Sequence, residues 1–216
     1  MKNFETVLFD LDGTITDPAE GITNSVAYAL DSYGIKVPDK RTLYPFIGPP
    51  LYASFMKYFG FSKEQSLEAV NRYREYYSVK GVFECTLYPG MQELLKNLNH
   101  AGKKVILATS KPEIYATRVV ANKGINNYLD YLAAASTDEK TRATKEAVIE
   151  YALTLCKEKD RSKILMVGDR HFDINGAKSF GIDAVGVTFG YGSSTELQDA
   201  GAKYIVNSMK ELDNLL

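Results

Sequence analysis

Thr6-Val7-Leu8-Phe9-Asp10-Leu11-Asp12-Gly13-Thr14 decides how the rest of the chain is read. Four consecutive β-branched or large apolar residues, with no polar alternation, are the pattern of a strand buried on both faces. Two carboxylates follow at once. In a parallel α/β sheet the ligands gather at the carboxyl ends of the strands, so Asp10 and Asp12 emerge where a site belongs. Two aspartates one residue apart repel each other unless a cation or a proton lies between them. Gly13 then permits a backbone turn that a side chain would obstruct. The plainer alternative is a strand ending in a polar turn, since Asp and Gly are common turn residues.

Outward from this stretch, similar apolar runs recur at Lys104–Ala108, Tyr131–Ala134, Lys163–Val167, Ala184–Val187 and Tyr204–Val206. Helical periodicity separates them. Met91, Leu94, Leu95 and Leu98 keep the i, i+3, i+4, i+7 spacing after Pro89-Gly90, and Val148, Ile149, Ala152 and Leu153 do so further on. Alternating strands and helices predict a Rossmann-like parallel sheet covered by helices on both faces. One region breaks the rhythm, because Asp17 to Glu84 holds no convincing strand. Ile22, Val26, Ala29 and Leu30 suit one helix, ending near Gly34. Leu51, Phe55, Met56 and Phe59 suit a second, ending at Gly60, and Leu67, Val70, Tyr73, Tyr76 and Tyr77 a third, closed by Gly81. The expectation is an α/β core from residues 1–16 and 87–216 with a small α-helical cap, 17–86, inserted after the first strand. More than half of the tyrosines lie between Tyr28 and Tyr77. They either pack a small helical bundle or, with Arg72 or Arg74 and the Gly48-Pro49-Pro50 loop, form a face on which a substrate stacks.

Composition narrows the partners. The 216 residues are 45% hydrophobic with net charge −1, enough chain for a core without disulfides. No run of like charge favours a nucleic acid polymer or an anionic membrane. Cys85 and Cys156 stand in no metal-ligand spacing and read as reduced thiols of a cytoplasmic protein. Met1-Lys2-Asn3-Phe4-Glu5 lacks the pattern of a secretory signal, and no apolar run approaches the roughly 20 residues of a membrane span. Oligomeric state is not legible.

Three further segments carry polar groups at strand ends. Thr109, Ser110 and Lys111 close the second long strand, where hydroxyls and backbone N–H groups can hold a phosphate or simply cap the next helix. Gly168-Asp169 closes the Lys163–Val167 run, with Asp173 one helical turn on. Hard carboxylate oxygens without clustered Cys or His suit Mg2+ rather than zinc or copper. Asp173 also suits a helix N-terminus. Lys145 opens the helix after the third strand and reads, in isolation, as a solvated lysine. His100 suits a helix end, and His171 is left as a loop histidine.

Taken together, Asp10 with Asp12, Thr109, Lys145, and Gly168-Asp169 with Asp173 resemble the four motifs of the haloacid dehalogenase-like hydrolase superfamily, in order and over essentially the whole chain. The nearest resemblance is to phosphoglycolate phosphatase-like enzymes, and Ile47-Gly48-Pro49-Pro50-Leu51 with Gly168-Asp169-Arg170 resembles a 5′-nucleotidase-like branch. The lysine motif of relatives often precedes prolines, whereas Glu146-Ala147 follows Lys145 here, so Lys140 and Lys111 compete for its role. The resemblance implies a phosphatase acting on a small phosphate ester, phosphoglycolate or a nucleoside 5′-monophosphate. Asp10 would be the nucleophile and form an aspartyl-phosphate. Asp12 would act as general acid and base. Magnesium would be held by the Asp10 and Asp169 side chains and the Asp12 carbonyl, with Asp173 behind them. Thr109, Lys145, Gly13, Thr14, Ser110 and Lys111 would hold the phosphoryl group, and Gly48 and Pro49 of the cap would meet the substrate. A phosphomutase of the same fold keeps every one of these motifs, and a pyrophosphatase is a further alternative. A dehalogenase needs no magnesium and typically lacks the second aspartate; a non-catalytic module would have lost a motif aspartate.

Overall fold

The computed structural model describes residues 4–136 and 141–216. The chain divides into two compact units, one from residues 1–17 and 87–216 and the other from residues 18–86.

The first unit is built on β1 (Thr6–Phe9), whose four residues are all buried. The chain continues through β2 (Thr16–Asp17) into the second unit's helices, α1 (Ala19–Asp31), α2 (Leu51–Phe59) and α3 (Lys63–Tyr76). It returns through β3 (Thr86–Leu87) to α4 (Met91–His100), β4 (Lys104–Pro112), α5 (Glu113–Asn122) and β5 (Tyr131–Ala135). Then come α6 (Lys145–Cys156), β6 (Ile164–Gly168), α7 (His171–Ser179), β7 (Asp183–Val187), α8 (Ser194–Ala200), β8 (Tyr204–Val206) and α9 (Met209–Leu215).

Six strands form one sheet in the order β5-β4-β1-β6-β7-β8, and every pairing in it is parallel. The expected parallel α/β sheet is therefore present. β1 lies between β4 and β6, with Phe9 in register with both Leu107 and Val167. From β1 the chain builds outward on one side through β4 and β5, then crosses to the other side for β6, β7 and β8. Between β1 and β6 the connections leave in opposite directions, which opens a crevice at their carboxyl ends. Asp10 and Asp169 follow those two strands.

Alternation along the strands feeds two faces. Leu8, Ile106 and Met166 pack with Val148, Ile149 and Ala152 of α6, Ile174 and Ala177 of α7, and Leu197 of α8. Their neighbours Val7, Phe9, Val105, Leu107 and Val167 are equally buried. Burial on both sides explains the unbroken apolar runs.

The second unit is helical and has an aromatic interior. Phe46 meets Phe55 edge-on at 5.0 Å, Phe55 stacks on Phe61 at 5.9 Å, and Tyr73 stacks on Tyr77 at 5.1 Å. A reciprocal cap between Ser62 and Gln65 starts α3, satisfying backbone N–H groups that the helix itself cannot. Two details differ from the periodicity. The α3 face that packs inward is Ser66, Ala69, Val70 and Tyr73, while Leu67 is 58% exposed. The helix also widens into a π-turn at Tyr77–Gly81, with Tyr77 buried four residues beyond Tyr73. The other difference lies at the unit boundary. Thr16–Asp17 and Thr86–Leu87 pair as a two-stranded ribbon, too short to show in any sequence window.

Leu8 is fully buried in the central strand. Leu8→Ala is expected to lower the unfolding free energy by about 2–5 kcal/mol, measured by urea denaturation. A loss below about 1 kcal/mol would contradict the central position of β1.

Candidate active site

Register and topology converge on the end of β1. The Asp10 backbone N–H donates to the carbonyl of Val167 at 2.9 Å, so the strand pairing runs on into the first carboxylate. Lys145, the first residue of α6, reaches this carboxylate although its side chain is only 3% exposed. Its Nζ lies 2.7 Å from Asp10 Oδ1, 2.8 Å from Asp173 Oδ1 and 3.0 Å from the carbonyl oxygen of Ala108. An ammonium has three donors, and three acceptors surround it. Burial by itself would lower the pKa of Lys145, but the Asp10 and Asp173 carboxylates outweigh it and hold the ammonium above its ordinary range.

The competing lysines separate by geometry. Lys111 Nζ pairs with Asp12 Oδ2, at the other carboxylate of the first motif. Lys140 lies outside the described residues. Thr109 is buried within β4, where its pairing with β5 shifts register, and its Oγ1 accepts the Lys111 N–H at 3.2 Å. Ser110, next along, is exposed.

Asp10, Asp169 and Asp173 each offer a carboxylate oxygen, and these oxygens lie within 4.8 Å of one another. Three carboxylates around one ammonium are two negative charges in excess when all are ionised. Asp173, in the first turn of α7, accepts the Arg170 N–H at 3.1 Å. Burial raises its pKa to about 6 against the opposing pull of Lys145. Asp169 stands well above the usual carboxylate range because it is buried beside Asp173 and Asp10. Its Oδ2 accepts the Tyr191 N–H at 2.8 Å, while its Oδ1 is buried with no hydrogen-bond partner. A buried anionic oxygen without a donor is costly unless a cation meets it. The oxygen-only donor set suits a hard divalent ion. Asp12 stands apart from this trio through its ion pair with Lys111.

Gly13 and Thr14 turn the chain directly beyond Asp12. Their N–H groups are engaged within that turn, Gly13 with the carbonyl of Thr16 at 2.7 Å and Thr14 with that of Leu11 at 3.3 Å. Gly13 has φ +87°, and a Cβ there would sit 2.2 Å from Asp169 Oδ2, so its missing side chain is the space the aspartate occupies. Gly48 and Pro49 belong to the helical unit, Gly48 in an exposed turn at φ +101°.

Residues that the sequence reading passed over also meet here. The loop Gly190-Tyr191-Gly192 follows β7, and a Cβ at Gly192 would come within 1.9 Å of the Asp169 carbonyl oxygen. Two glycines flanking an aromatic just past a strand end were the available signal. Tyr88 packs on Phe189 at 5.0 Å, and burial together with the carboxylates of Asp17, Asp169 and Asp12 raises its phenol. His171 is fastened to α8, its Nδ1 lying 2.7 Å from Glu196 Oε1.

The haloacid dehalogenase-like hydrolase family model matches residues 7–187, the span from the middle of β1 to the end of β7. The chain belongs to this family. It is similar to a 5′-nucleotidase of Pseudomonas aeruginosa, at 40% identity over 90% of this chain and 87% of that protein. It is also 36% identical to the tyrosine-protein kinase PtkA of Mycobacterium tuberculosis, covering 98% of this chain and 71% of that one. The crystal structure of a predicted phosphatase from Clostridium acetobutylicum superposes with a TM-score of 0.92 at 43% identity, covering 98% of this chain and 97% of that one. The chain is therefore a hydrolase, with the phosphatase-type relatives that its motifs lead one to expect.

Lys145→Met would leave two buried carboxylates without their countercharge, at a cost of about 3–5 kcal/mol at pH 7. With the ammonium gone, burial keeps the folded-state pKa of Asp173 above its unfolded one. Protonation then favours the folded form, and the deficit shrinks as pH falls toward about 4. Urea unfolding at pH 7 and pH 5 checks both; an equal deficit at the two values would contradict the arrangement.

Proposed function

We propose that the chain is a magnesium-dependent phosphomonoesterase that works through an aspartyl-phosphate at Asp10 on a small phosphorylated metabolite. The observation carrying this reading is the buried carboxylate trio, held by one ammonium and left with an unpartnered oxygen on Asp169. Asp10 and Asp169 would hold the ion with the Asp12 carbonyl, and Asp173 would support the group through Lys145. Bound magnesium would offset the repulsion between the Asp10 carboxylate and a phosphate dianion.

The residues themselves suggest a division of labour. Asp10 attacks phosphorus, and its ion pair with Lys145 holds the carboxylate in place. Asp12 protonates the leaving oxygen and, once deprotonated, takes a proton from the water that hydrolyses the acyl phosphate. One group serves both steps because its protonation state alternates. Lys111, paired with Asp12, supplies positive charge beside it, and Thr109 offers a hydroxyl on the same strand. Ser110 and the unpartnered Thr14 hydroxyl, beside Gly13, would complete the proposed phosphate surroundings, and Lys145, whose three donors already have acceptors, would contribute charge. Such charge stabilisation is what phosphoryl transfer requires.

For the substrate we favour a nucleoside 5′-monophosphate over phosphoglycolate, on the strength of the Pseudomonas aeruginosa relative. The tyrosines of the helical unit divide between packing and surface, with Tyr28, Tyr44 and Tyr58 exposed. Tyr73 and Tyr77 pack against each other inside the helical unit, Tyr76 donates to Glu84 at 2.9 Å, and Arg72 is paired with Glu75. Substrate selection is assigned to the Gly48-Pro49 turn of that unit.

A panel of nucleoside monophosphates, phosphoglycolate, sugar phosphates and pyrophosphate, assayed for phosphate release with magnesium and with chelator, tests the reading. Activity on a monophosphate should vanish in chelator, and Asp10→Asn should lose about 10³-fold or more in kcat while staying folded. Full activity in chelator, or residual Asp10→Asn activity within about tenfold of the original, overturns it. Replacing Gly48-Pro49-Pro50 should change the order of substrates more than the rate on a small aryl phosphate.

A further inference from the structure

Asp169 has two buried oxygens with opposite circumstances. Oδ2 accepts the Tyr191 N–H at 2.8 Å and Oδ1 has no hydrogen-bond partner, while one carboxylate oxygen of Asp169 lies within 4.8 Å of oxygens of Asp10 and Asp173. The amide of Tyr191 therefore occupies one oxygen of Asp169 and leaves the other unpartnered, which fixes how the carboxylate is turned. That amide is well placed only while its loop stays pressed against the aspartate, and the loop is built for this. A Cβ at Gly190 would sit 2.2 Å from the Gly13 carbonyl oxygen and 2.4 Å from Asp169 Cβ.

The side chain of Tyr191 points to a second anchor. Its phenol donates to Asp17 Oδ1, a charge-assisted bond to a half-buried carboxylate. Asp17 ends β2, which is tied back to the first motif. Thr16 donates its N–H to the Leu11 carbonyl at 2.8 Å and accepts the Gly13 N–H at 2.7 Å. One tyrosine thus grips both segments that bear carboxylates: the turn after Asp10 and Asp12 through its hydroxyl, and Asp169 through its backbone.

We propose that Tyr191 is a positioning residue which, anchored on Asp17, orients Asp169 to receive the divalent cation. This rests on the magnesium reading above. Partners that orient a metal-binding group without touching the metal commonly change metal affinity by about 10–100-fold when removed. Tyr191 acts through a loop rather than through a side-chain bond to the ligand, so the lower end of that range applies.

The test is magnesium titration calorimetry on the full, substrate-free chain. Tyr191→Phe keeps the ring and removes the hydroxyl, and should weaken magnesium binding by about tenfold. Asp17→Ala should do the same, and the double variant should lose no more than either single change, because both remove one interaction. Asp17→Asn retains an acceptor oxygen and should keep most of the affinity. In steady-state assays the apparent magnesium affinity should fall further than kcat at saturating magnesium, which general loosening of the fold would not produce. Unchanged magnesium affinity in Tyr191→Phe, or losses that add in the double variant, overturns the proposal. Should Tyr191→Phe fail to fold, equal affinities of Asp17→Ala and Asp17→Asn overturn it instead. A parent chain that binds magnesium, with variants that bind it equally well, removes this inference and leaves the proposed function standing. A parent chain that binds none removes both.

Discussion

An ammonium group buried between two carboxylates is what the rest of this site leans on. Taking Lys145 out of water costs several kcal/mol, which only close acceptors can offset. Asp10, Asp173 and the Ala108 carbonyl supply them from three different segments: the end of β1, the middle of β4 and the first turn of α7. Each contact needs its segment held to within a few tenths of an ångström. The salt bridge therefore demands a rigid sheet, and the sheet, buried on both faces, provides one. The charge balance then runs the other way. One ammonium cannot neutralise three carboxylates, and Asp169 is the member left short.

The strand order explains why these groups meet at all. β1 is flanked by β4 and β6, so residues far apart in the chain lie side by side at one edge of the crevice. Lys145 is 135 residues from Asp10, and Lys111 is 99 from Asp12. Loop closure over such lengths is entropically unfavourable, and long-range strand pairing has to offset it. The site is a consequence of topology first and of side-chain chemistry second.

Much of this was legible from local pattern. The six core strands announce themselves because burial on both faces leaves uninterrupted apolar runs, and Asp10 and Asp169 follow from where two of those runs stop. What local pattern does not carry is long-range choice. Nothing in the spacing of Lys111 and Lys145 says which ammonium points at which carboxylate; parallel pairing and the start of α6 decide it. The Tyr191–Asp17 bond spans 174 residues and has no sequence signature beyond two glycines beside an aromatic. The misreading of Leu67 in α3 has a different cause. Val70, Tyr73 and Tyr77 are buried as the period suggests, but Leu67, which fits the same period, faces outward while Ser66 and Ala69 take the inner side. A period fixes the spacing of a stripe and not its direction.

The same physics separates what family membership carries from what it does not. A buried group such as Asp173 or Lys145 cannot change alone without stranding a charge, so the chemistry of the site resists alteration. The Gly48-Pro49-Pro50 turn is largely exposed and leaves no buried partner behind when it changes. Relatives can therefore share one sheet and diverge in what they act upon. The similarity of this chain both to a 5′-nucleotidase and to a tyrosine-protein kinase is the outcome expected of such a scaffold. In both names the common element is a phosphoryl group, which is the part of the substrate that buried residues would meet. On the proposed reading the remainder of the substrate would fall to exposed residues such as Gly48, whose replacement strands no buried charge.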